Sequence, residues 1–217
     1  MILEKLNKLI KLIKDYRVLR ALLSYRYNGY LAELGWFEAY KTKTAIDNQG
    51  LPIPWCTYGF NNFIDERLQD NLDILEFGSG NGTLYYAKKV KKIKAIEHDK
   101  AWFEKIEESM PSNVDLVFKD YVKDGEYSKY CSEGDDKYHI IIVDGRDRVN
   151  CAKNSYPYLH ENGVLVLDDS EREEYSEVYD ILTQEGFKNI GFAGISPGCF
   201  YNKMTTIFYR DNNCIGL

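Results

Sequence analysis

The chain has 217 residues, of which 44% are apolar and 29% are charged, and its formal net charge is −6. This apolar content is enough to bury one sizeable core. The acidic balance lacks the broad basic face that neutralises phosphates, so we expect no nucleic-acid partner. No apolar stretch reaches the roughly 20 residues that span a bilayer, so we expect a cytoplasmic chain without a transmembrane segment.

Residues 2–23 have the periodicity of an amphipathic helix. One face carries apolar side chains, namely Leu3, Leu6, Leu9, Ile10, Ile13 and Tyr16, and the other carries Lys8, Lys11 and Lys14. A basic amphipathic helix can make a peripheral contact with an anionic membrane. The alternative, which we favour, is packing on its own domain or on a second subunit, and a homodimer fits that arrangement.

The region from about residue 25 to residue 62 is rich in aromatic residues and has no clear periodicity. It includes LPIPWCTYGF, whose two prolines favour an extended segment over a helix. We therefore predict an N-terminal extension over residues 1–62 and one domain over residues 63–217.

Short apolar runs alternate with helix-length segments in the second part of the chain. The candidate strands are 73–77, 93–97, 114–118, 139–143, 164–167, 187–192 and 205–209, and the candidate helices include 101–110 and 150–160. This alternation predicts an α/β fold with a mostly parallel sheet covered on both faces. The last two strands are joined by GISPGCFYNKM without a helical crossover, so the last strand is expected to be antiparallel.

The stretch ILEFGSGNGT, residues 74–83, follows the first strand of this sheet and opens its first helix. Glycines at every second position let the backbone approach a ligand closely, and ligands of open α/β sheets bind at the carboxyl ends of the strands. Glu76, just before the glycines, would repel a pyrophosphate. A cationic or polyhydroxyl ligand suits the loop better.

The segment LEFGSGNGT followed by IKAIEHD resembles the first two motifs of the class I S-adenosylmethionine-dependent methyltransferases. The resemblance covers about residues 70–210 and implies a Rossmann-like, seven-stranded sheet with an antiparallel last strand. It also implies that the glycine loop passes under the amino-acid and ribose parts of S-adenosylmethionine. The residues of that loop are Gly78, Ser79, Gly80, Asn81 and Gly82.

Three further cofactor contacts are implied by the same resemblance. Glu97 ends the second strand and would hold the ribose hydroxyls, because a carboxylate can accept two hydrogen bonds at once. Glu76 would lie near the cofactor's ammonium group, and Asp120 with Tyr121 near the adenine. For Asp120 and Tyr121, a solvated loop acid and a packed ring are equally good interpretations. His98 would touch the ribose or adenine, or remain a solvated imidazole.

The stretch PIPWCTYGF is similar to a segment found in a group of small bacterial methyltransferases. Trp55 and Tyr58 would wall the cofactor pocket, and the Thr57 hydroxyl would reach the cofactor's carboxylate. The alternative is core packing beneath the N-terminal extension, which we favour slightly for Trp55.

Carboxylates follow the fourth and fifth strands, in VDGRDR and LVLDDSE. Asp144, Asp168 and Asp169 should converge at one edge of the sheet, and a cation bound by such oxygen ligands would be Mg²⁺, Ca²⁺ or Mn²⁺. Their positions resemble the metal triad of catechol-type O-methyltransferases, although Asp147 stands where those enzymes carry a lysine. The alternative is a set of strand-end acids capped by amides and arginines, with Asp144 or Asp168 as general base.

These features together predict an S-adenosylmethionine-dependent methyltransferase that methylates an oxygen of a small molecule or glycan. Asp144, Arg146 and Asp168 are the candidate catalytic residues, with Arg146 orienting an acidic substrate. Two alternatives remain. One is an aminopropyltransferase-like enzyme, which the arginines of GRDR disfavour, and the other is a non-catalytic cofactor-binding or scaffold protein.

Overall fold

Seven strands form one sheet in the computed structural model, which describes residues 2–217 except the side chains of Ile2 and Leu9. The strands are β1 (Asp73–Phe77), β2 (Lys92–Glu97), β3 (Val114–Phe118), β4 (Tyr138–Val143), β5 (Leu159–Leu167), β6 (Lys188–Gly194) and β7 (Lys203–Tyr209). Their spatial order is β3-β2-β1-β4-β5-β7-β6. β7 runs antiparallel to both of its neighbours, whereas the pairings among β1 to β5 are parallel. The predicted fold class is confirmed, and each predicted strand overlaps an observed one.

Helices cover both faces of the sheet because successive strand residues point to opposite sides. The helices of this part are α5 (Tyr58–Asp65), α6 (Asn81–Ala87), α7 (Lys100–Ile106), α8 (Arg148–Ser155) and α9 (Ser176–Gln184). On one face, Ile141 and Leu165 pack with residues of α8 and α9. On the other face, Ile140 and Val164 pack with residues of α5 and α6. The central strands are therefore buried on both sides, as their continuous apolar runs predict.

The N-terminal segment differs from the single helix predicted over residues 2–23. It forms α1 (Ile2–Lys14) and α2 (Tyr16–Tyr27), separated at Asp15. The Asp15 carboxylate accepts a hydrogen bond from the Val18 backbone N–H at 3.2 Å and so caps α2. This capping preference of aspartate competes with a continuous helix. Leu9, assigned to the apolar face above, lies outside the described side chains.

The aromatic-rich region is more ordered than its composition indicates. It contains α3 (Tyr30–Glu33) and α4 (Trp36–Thr42), and its last residues begin α5, so the boundary predicted at residue 62 falls inside a helix. Trp36 is buried, and its indole N–H donates to the Cys199 carbonyl at 2.8 Å. This contact ties the extension to the loop between β6 and β7.

Two further boundaries differ from prediction. α8 begins at Arg148 and ends at Ser155, where residues 150–160 were predicted to be helical, and β5 already begins at Leu159. Among the described residues, no helix has the length and apolar character needed to cross a membrane.

Candidate active site

The glycine loop lies at the carboxyl end of β1, beside β4, where the order of parallel strands reverses. This switch point is where open α/β sheets bind ligands. Gly80 precedes α6 with φ +156°, and an added Cβ would meet only the Trp102 ring, at 3.8 Å. The Trp102 indole N–H donates to the Ser79 carbonyl at 3.0 Å and so holds the ring over the loop. The space in front of Gly80 is therefore open to a ligand.

Glu76 lies at the bottom of the cleft formed by this loop. The Thr83 hydroxyl donates to its carboxylate at 2.6 Å, and the same hydroxyl accepts from the Gly80 N–H at 3.0 Å. Burial, against the opposing effect of the Thr83 hydrogen bond and with a smaller contribution from the nearby Asp144 and Glu97, raises the pKa of Glu76 to about 8. A cationic ligand group beside Glu76 would stabilise its charged form.

Glu97 ends β2 next to the glycine loop, with its carboxylate already hydrogen-bonded. One oxygen accepts from the Ser79 hydroxyl at 2.6 Å, and the other accepts from the backbone N–H groups of His98 and Asp99, both at 2.8 Å. These bonds fix the carboxylate at the loop. A ribose hydroxyl placed there would share or replace the Ser79 contact.

Asp144, Asp168 and Asp169 meet at the carboxyl edge of β4 and β5, together with two cations of the chain. The Lys203 ammonium, at the start of β7, lies 2.9 Å from the Asp168 carboxylate and 2.7 Å from that of Asp169. Arg148, at the start of α8, lies 3.0 Å from Asp144 and 3.0 Å from Asp169. The sequence prediction that these acids converge agrees with this arrangement.

Burial and charge set the protonation of this cluster. Burial and the neighbouring Asp168 raise the pKa of Asp144 to about 7, although Arg148 and Lys203 oppose the shift. Burial would also raise the pKa of Asp169, but Arg148, Lys203 and Arg172 more than offset it and lower that pKa. For Lys203, burial disfavours the charge, yet Asp168 and Asp169 hold its pKa above the usual value. The ammonium is therefore charged, and Asp144 titrates near neutral pH.

The three acids do not fit a divalent metal site in this arrangement. Besides Lys203, Asp168 accepts from the Thr205 hydroxyl at 2.6 Å, so both of its oxygens are engaged. Cys56, Asp144 and Asp168 do bring ligand atoms within 4.8 Å of one another. However, burial raises the pKa of the Cys56 thiol well above its usual value, which disfavours the thiolate that a metal needs. The Lys203 ammonium and the Arg148 guanidinium already neutralise the carboxylates that would otherwise bind a metal ion.

Two adjoining cavities open along this edge. The first has a volume of about 710 Å³ and is lined by the glycine loop, Glu76, Tyr86, Trp55, Lys43 and Lys203, among others. The second, about 850 Å³, is lined by His98, Tyr121, Arg146 and neighbouring residues. Asp144, Asp169 and Arg172 line both cavities, so Asp144 stands at the seam between them.

Four predicted cofactor residues do not line either cavity, and one of them is Glu97, which is buried beside the glycine loop. Thr57 is buried, and its hydroxyl donates to the Phe192 carbonyl at 3.0 Å and caps α5. Tyr58 is buried elsewhere, in contact with a third cavity. Asp120 is an exposed side chain. By contrast, Trp55 borders the first cavity with 43% of its surface exposed, so it is not the core residue that we favoured.

Asn81 and Arg146 lie at the cleft in different ways. The Asn81 side-chain amide donates to the Ala45 carbonyl at 2.7 Å, which fastens the N-terminal extension to the glycine loop. Arg146 is exposed and lines the second cavity. It is available to a ligand there, whereas Arg148 is committed to the acids.

Sequence reasoning missed Tyr86, Trp102 and Lys203. The hydroxyl of Tyr86 is buried in the first cavity and has no hydrogen-bond partner among the described residues. Tyr86 follows the loop residue Gly82 by one helical turn, and this spacing is a signal that places it beside the loop. No local sequence pattern predicts that Lys203 lies at the site, because its position depends on the register of the antiparallel strand β7 against β5.

Solved structures similar to this one include several methyltransferases. A methyltransferase from Pyrococcus furiosus is 17% identical, with a TM-score of 0.53, over 85% of this chain and 100% of that one. A putative methyltransferase from Streptococcus mutans, solved in complex with SAH, is 14% identical, with a TM-score of 0.50, over 68% of this chain and 94% of that one. An rRNA methylase from Streptococcus thermophilus is 13% identical, with a TM-score of 0.52, over 70% of this chain and 97% of that one.

These similarities show that the chain has the fold of the class I S-adenosylmethionine-dependent methyltransferases. The predicted resemblance is therefore confirmed at the level of the fold. No protein-family model matches the sequence, and no curated protein is significantly similar to it.

Proposed function

We propose that this protein is an S-adenosylmethionine-dependent methyltransferase that transfers the methyl group to an oxygen of a small molecule or glycan. The observation that carries the proposal is the pair of fixed carboxylates, Glu76 and Glu97, on either side of the open glycine loop. One carboxylate suits a cationic ammonium, and the other suits hydroxyl donors. A pyrophosphate, which has only acceptor oxygens, would find no donor on either carboxylate.

Residues of the first cavity fit the amino-acid end of S-adenosylmethionine. Glu76 would pair with the ammonium group, and the unpartnered Tyr86 hydroxyl would donate to the same end of the cofactor. Gly80 leaves the cleft open where a side chain would fill it. Lys43, exposed at the rim of this cavity, offers a charge for the carboxylate.

Residues of the second cavity fit the adenine end. His98 packs edge-on against Tyr121 with ring centroids 6.2 Å apart, and both rings line this cavity. An aromatic base would add to this cluster, since edge-on and offset rings attract one another. Glu97 lies one residue before His98, which places the ribose site next to the base site.

Asp144 is the proposed general base. When bound, S-adenosylmethionine supplies an electrophilic methyl group on a sulfonium centre. Asp144 would take the proton of the acceptor hydroxyl as that oxygen displaces the thioether, and its pKa of about 7 suits this task. Arg148 holds one oxygen of Asp144 at 3.0 Å, which leaves the other for the acceptor. Asp168 is bound to Lys203 and Thr205, so its role is to position Lys203.

The acceptor is proposed to be a small molecule or glycan because the surfaces beside Asp144 are polar and mixed in charge. Arg146 offers an unbound guanidinium to an acidic group of the acceptor. The acidic body disfavours a nucleic-acid substrate, and the similarity to an rRNA methylase concerns the fold alone. A polyamine, the substrate of an aminopropyltransferase, is disfavoured because Arg148 and Lys203 already neutralise the acids.

Calorimetry with S-adenosylhomocysteine tests the cofactor site. Replacement of Glu97 by alanine or glutamine should weaken binding by about 1.5–3 kcal/mol, the value of a hydrogen bond to a charged group. Asp120→Ala is the matched control because this exposed acid is not hydrogen-bonded to the glycine loop, whereas Glu97 is bonded to it through Ser79, and the control should bind as the wild type does. Unchanged affinity in a folded Glu97→Gln protein would refute the assignment.

Turnover decides between an enzyme and a binding protein. Incubation with S-adenosylmethionine and a panel of hydroxylated acceptors should release S-adenosylhomocysteine. Tight cofactor binding without release on any acceptor would favour the scaffold alternative. Transfer of an aminopropyl group from decarboxylated S-adenosylmethionine to an amine, in a parallel incubation, would favour the aminopropyltransferase alternative.

A further inference from the structure

Helix α1 presents an apolar face that the described part of the chain leaves uncovered. Leu3, Leu6, Ile10 and Ile13 are 73%, 49%, 42% and 58% exposed. At about 100° per residue these side chains share one arc of the helix. An isolated apolar stripe of this kind normally has a partner, because exposing it to water is unfavourable.

Helix α2 extends this surface. It contains no buried residue, and its exposed apolar side chains include Val18, Leu22 and Leu23. The prediction that the N-terminal helix packs on its own domain does not agree with this exposure. Something outside the described chain must cover the two helices if their apolar faces are to be buried.

The charge of the helix pair is opposite to that of the rest of the molecule. Residues 2–27 carry seven lysines and arginines against two acids, whereas residues 28–217 carry 21 against 32. On α1, Lys5 and Lys14 border the apolar arc on its two sides, and Lys8 and Lys11 lie beyond it. Lysines at the border can extend their ammonium groups away from an apolar layer while their stems remain in it.

This charge pattern discriminates between the occupants of the face. A second copy of the chain would bring one strongly basic helix pair against another, with like charges around the shared apolar stripe. An anionic bilayer instead offers acyl chains to the leucines and isoleucines and negative headgroups to the lysines. We propose that α1 and α2 dock this protein on the surface of an anionic lipid membrane.

The docked helices would lie in the plane of the interface. The apolar arc of α1 would enter the boundary between headgroups and acyl chains, with the lysine ammonium groups at the phosphates. The acidic body is repelled by the same surface, so the contact is confined to the helix pair. The attachment is therefore sensitive to salt and to lipid composition.

Flotation of the full chain with lipid vesicles tests the proposal. The wild type should float with vesicles of phosphatidylcholine mixed with phosphatidylglycerol, and much less with phosphatidylcholine alone. The double variant Leu6→Glu, Ile10→Glu should lose binding. The double variant Lys5→Gln, Lys14→Gln should bind about 30-fold more weakly, at roughly fivefold per lysine.

Matched controls carry the same changes outside the helix pair. Leu51→Glu alters a leucine that is 47% exposed, and Lys88→Gln with Lys92→Gln removes two exposed lysines of the body. Both controls should bind vesicles as the wild type does. Far-UV circular dichroism of each variant shows whether the helices are retained.

Three outcomes would overturn the proposal. The first is failure of the wild type to float with either vesicle, and the second is equal binding to both vesicles. The third is a dimer, seen by sedimentation equilibrium, that the Leu6→Glu, Ile10→Glu variant abolishes while vesicle binding is absent. That result would assign the face to a second copy of the chain.

Discussion

Replacement of Lys203 by methionine should strongly destabilise the protein. Methionine keeps most of the side-chain stem but removes the ammonium that lies 2.9 Å from Asp168 and 2.7 Å from Asp169. Asp168 and Asp169 are both buried and would lose a cationic partner. Breaking a buried pair in this way costs about 3–5 kcal/mol of unfolding free energy. We expect a loss of this size near neutral pH.

The loss should shrink as the pH falls. In the wild type, the lowered pKa of Asp169 contributes stability that is present above its unfolded pKa and is lost as the pH falls through the folded value. In the variant, loss of the ammonium lets burial raise the pKa of Asp169 above its wild-type value, so the folded variant binds more protons than the folded wild type does. Acidification therefore costs the wild type more stability than it costs the variant, and the two stabilities converge toward the ordinary carboxyl pKa of about 4.

Urea denaturation at several pH values measures both effects. The control is Lys188→Met, which removes an ammonium 2.6 Å from Asp211 on the surface, where the lysine side chain is 59% exposed. Solvent screens that pair, so its loss should have no measurable effect. Equal and small changes in the two variants, with no dependence on pH, would refute the argument that Lys203 neutralises a buried cluster.

Three further predictions concern the reaction. Gly80→Val should abolish cofactor binding in a chain that still folds but melts at a lower temperature, because its side chain would fill the cleft beside Trp102 and strain a backbone at φ +156°. Normal calorimetric binding would show that the loop is only a turn. The kcat/KM of the wild type should rise with pH through about 7 as Asp144 loses its proton, and Asp144→Asn should lower kcat about 10²–10⁴-fold. A pH-independent kcat/KM would refute the role of Asp144 as general base. EDTA should leave turnover unchanged because Lys203 and Arg148 neutralise the acids, and a loss that Mg²⁺ restores would contradict this.

Local sequence patterns predicted the part of the fold that depends on neighbouring residues. The strands are short apolar runs, and the loop from Gly78 to Gly82 has its place because it directly follows one of them. Glu97 could be assigned because it ends the next strand at the same edge. These positions follow from parallel topology alone, since parallel strands end on one side of the sheet.

Side-chain hydrogen bonds set two helix boundaries that the apolar sequence patterns did not predict. Asp15 divides the N-terminal helix because its carboxylate caps α2, and Thr57 begins α5 immediately after a proline-containing segment that favoured extended structure. Both residues are good helix caps, but the apolar periodicity is insensitive to them. The Thr57 hydroxyl was predicted to reach the cofactor, but in the structure it caps α5 and donates to the Phe192 carbonyl.

Long-range pairing set the remaining features of the site. A divalent metal ion and a set of amides and arginines were the two predicted partners of the strand-end acids, whereas the cation that contacts both Asp168 and Asp169 is Lys203, which begins the antiparallel strand β7. Because that strand runs in the opposite direction, its first residue lies where the parallel strands end. Its register against β5, with Leu167 opposite Thr206, fixes this position and has no local signal.

Because Lys203 begins β7, the ribosome adds this neutralising lysine after it has added Asp168 and Asp169. Lys203 lies 35 residues after Asp168. At a ribosomal rate of about 5–20 residues per second, some 2–7 s pass between the two residues. During this interval the growing chain contains Asp168 and Asp169 but not yet the ammonium that contacts both of them in the folded protein. A transcript cut short before codon 203 would therefore yield a polypeptide with an uncompensated acidic edge, exposed to cellular proteases as an unfinished product.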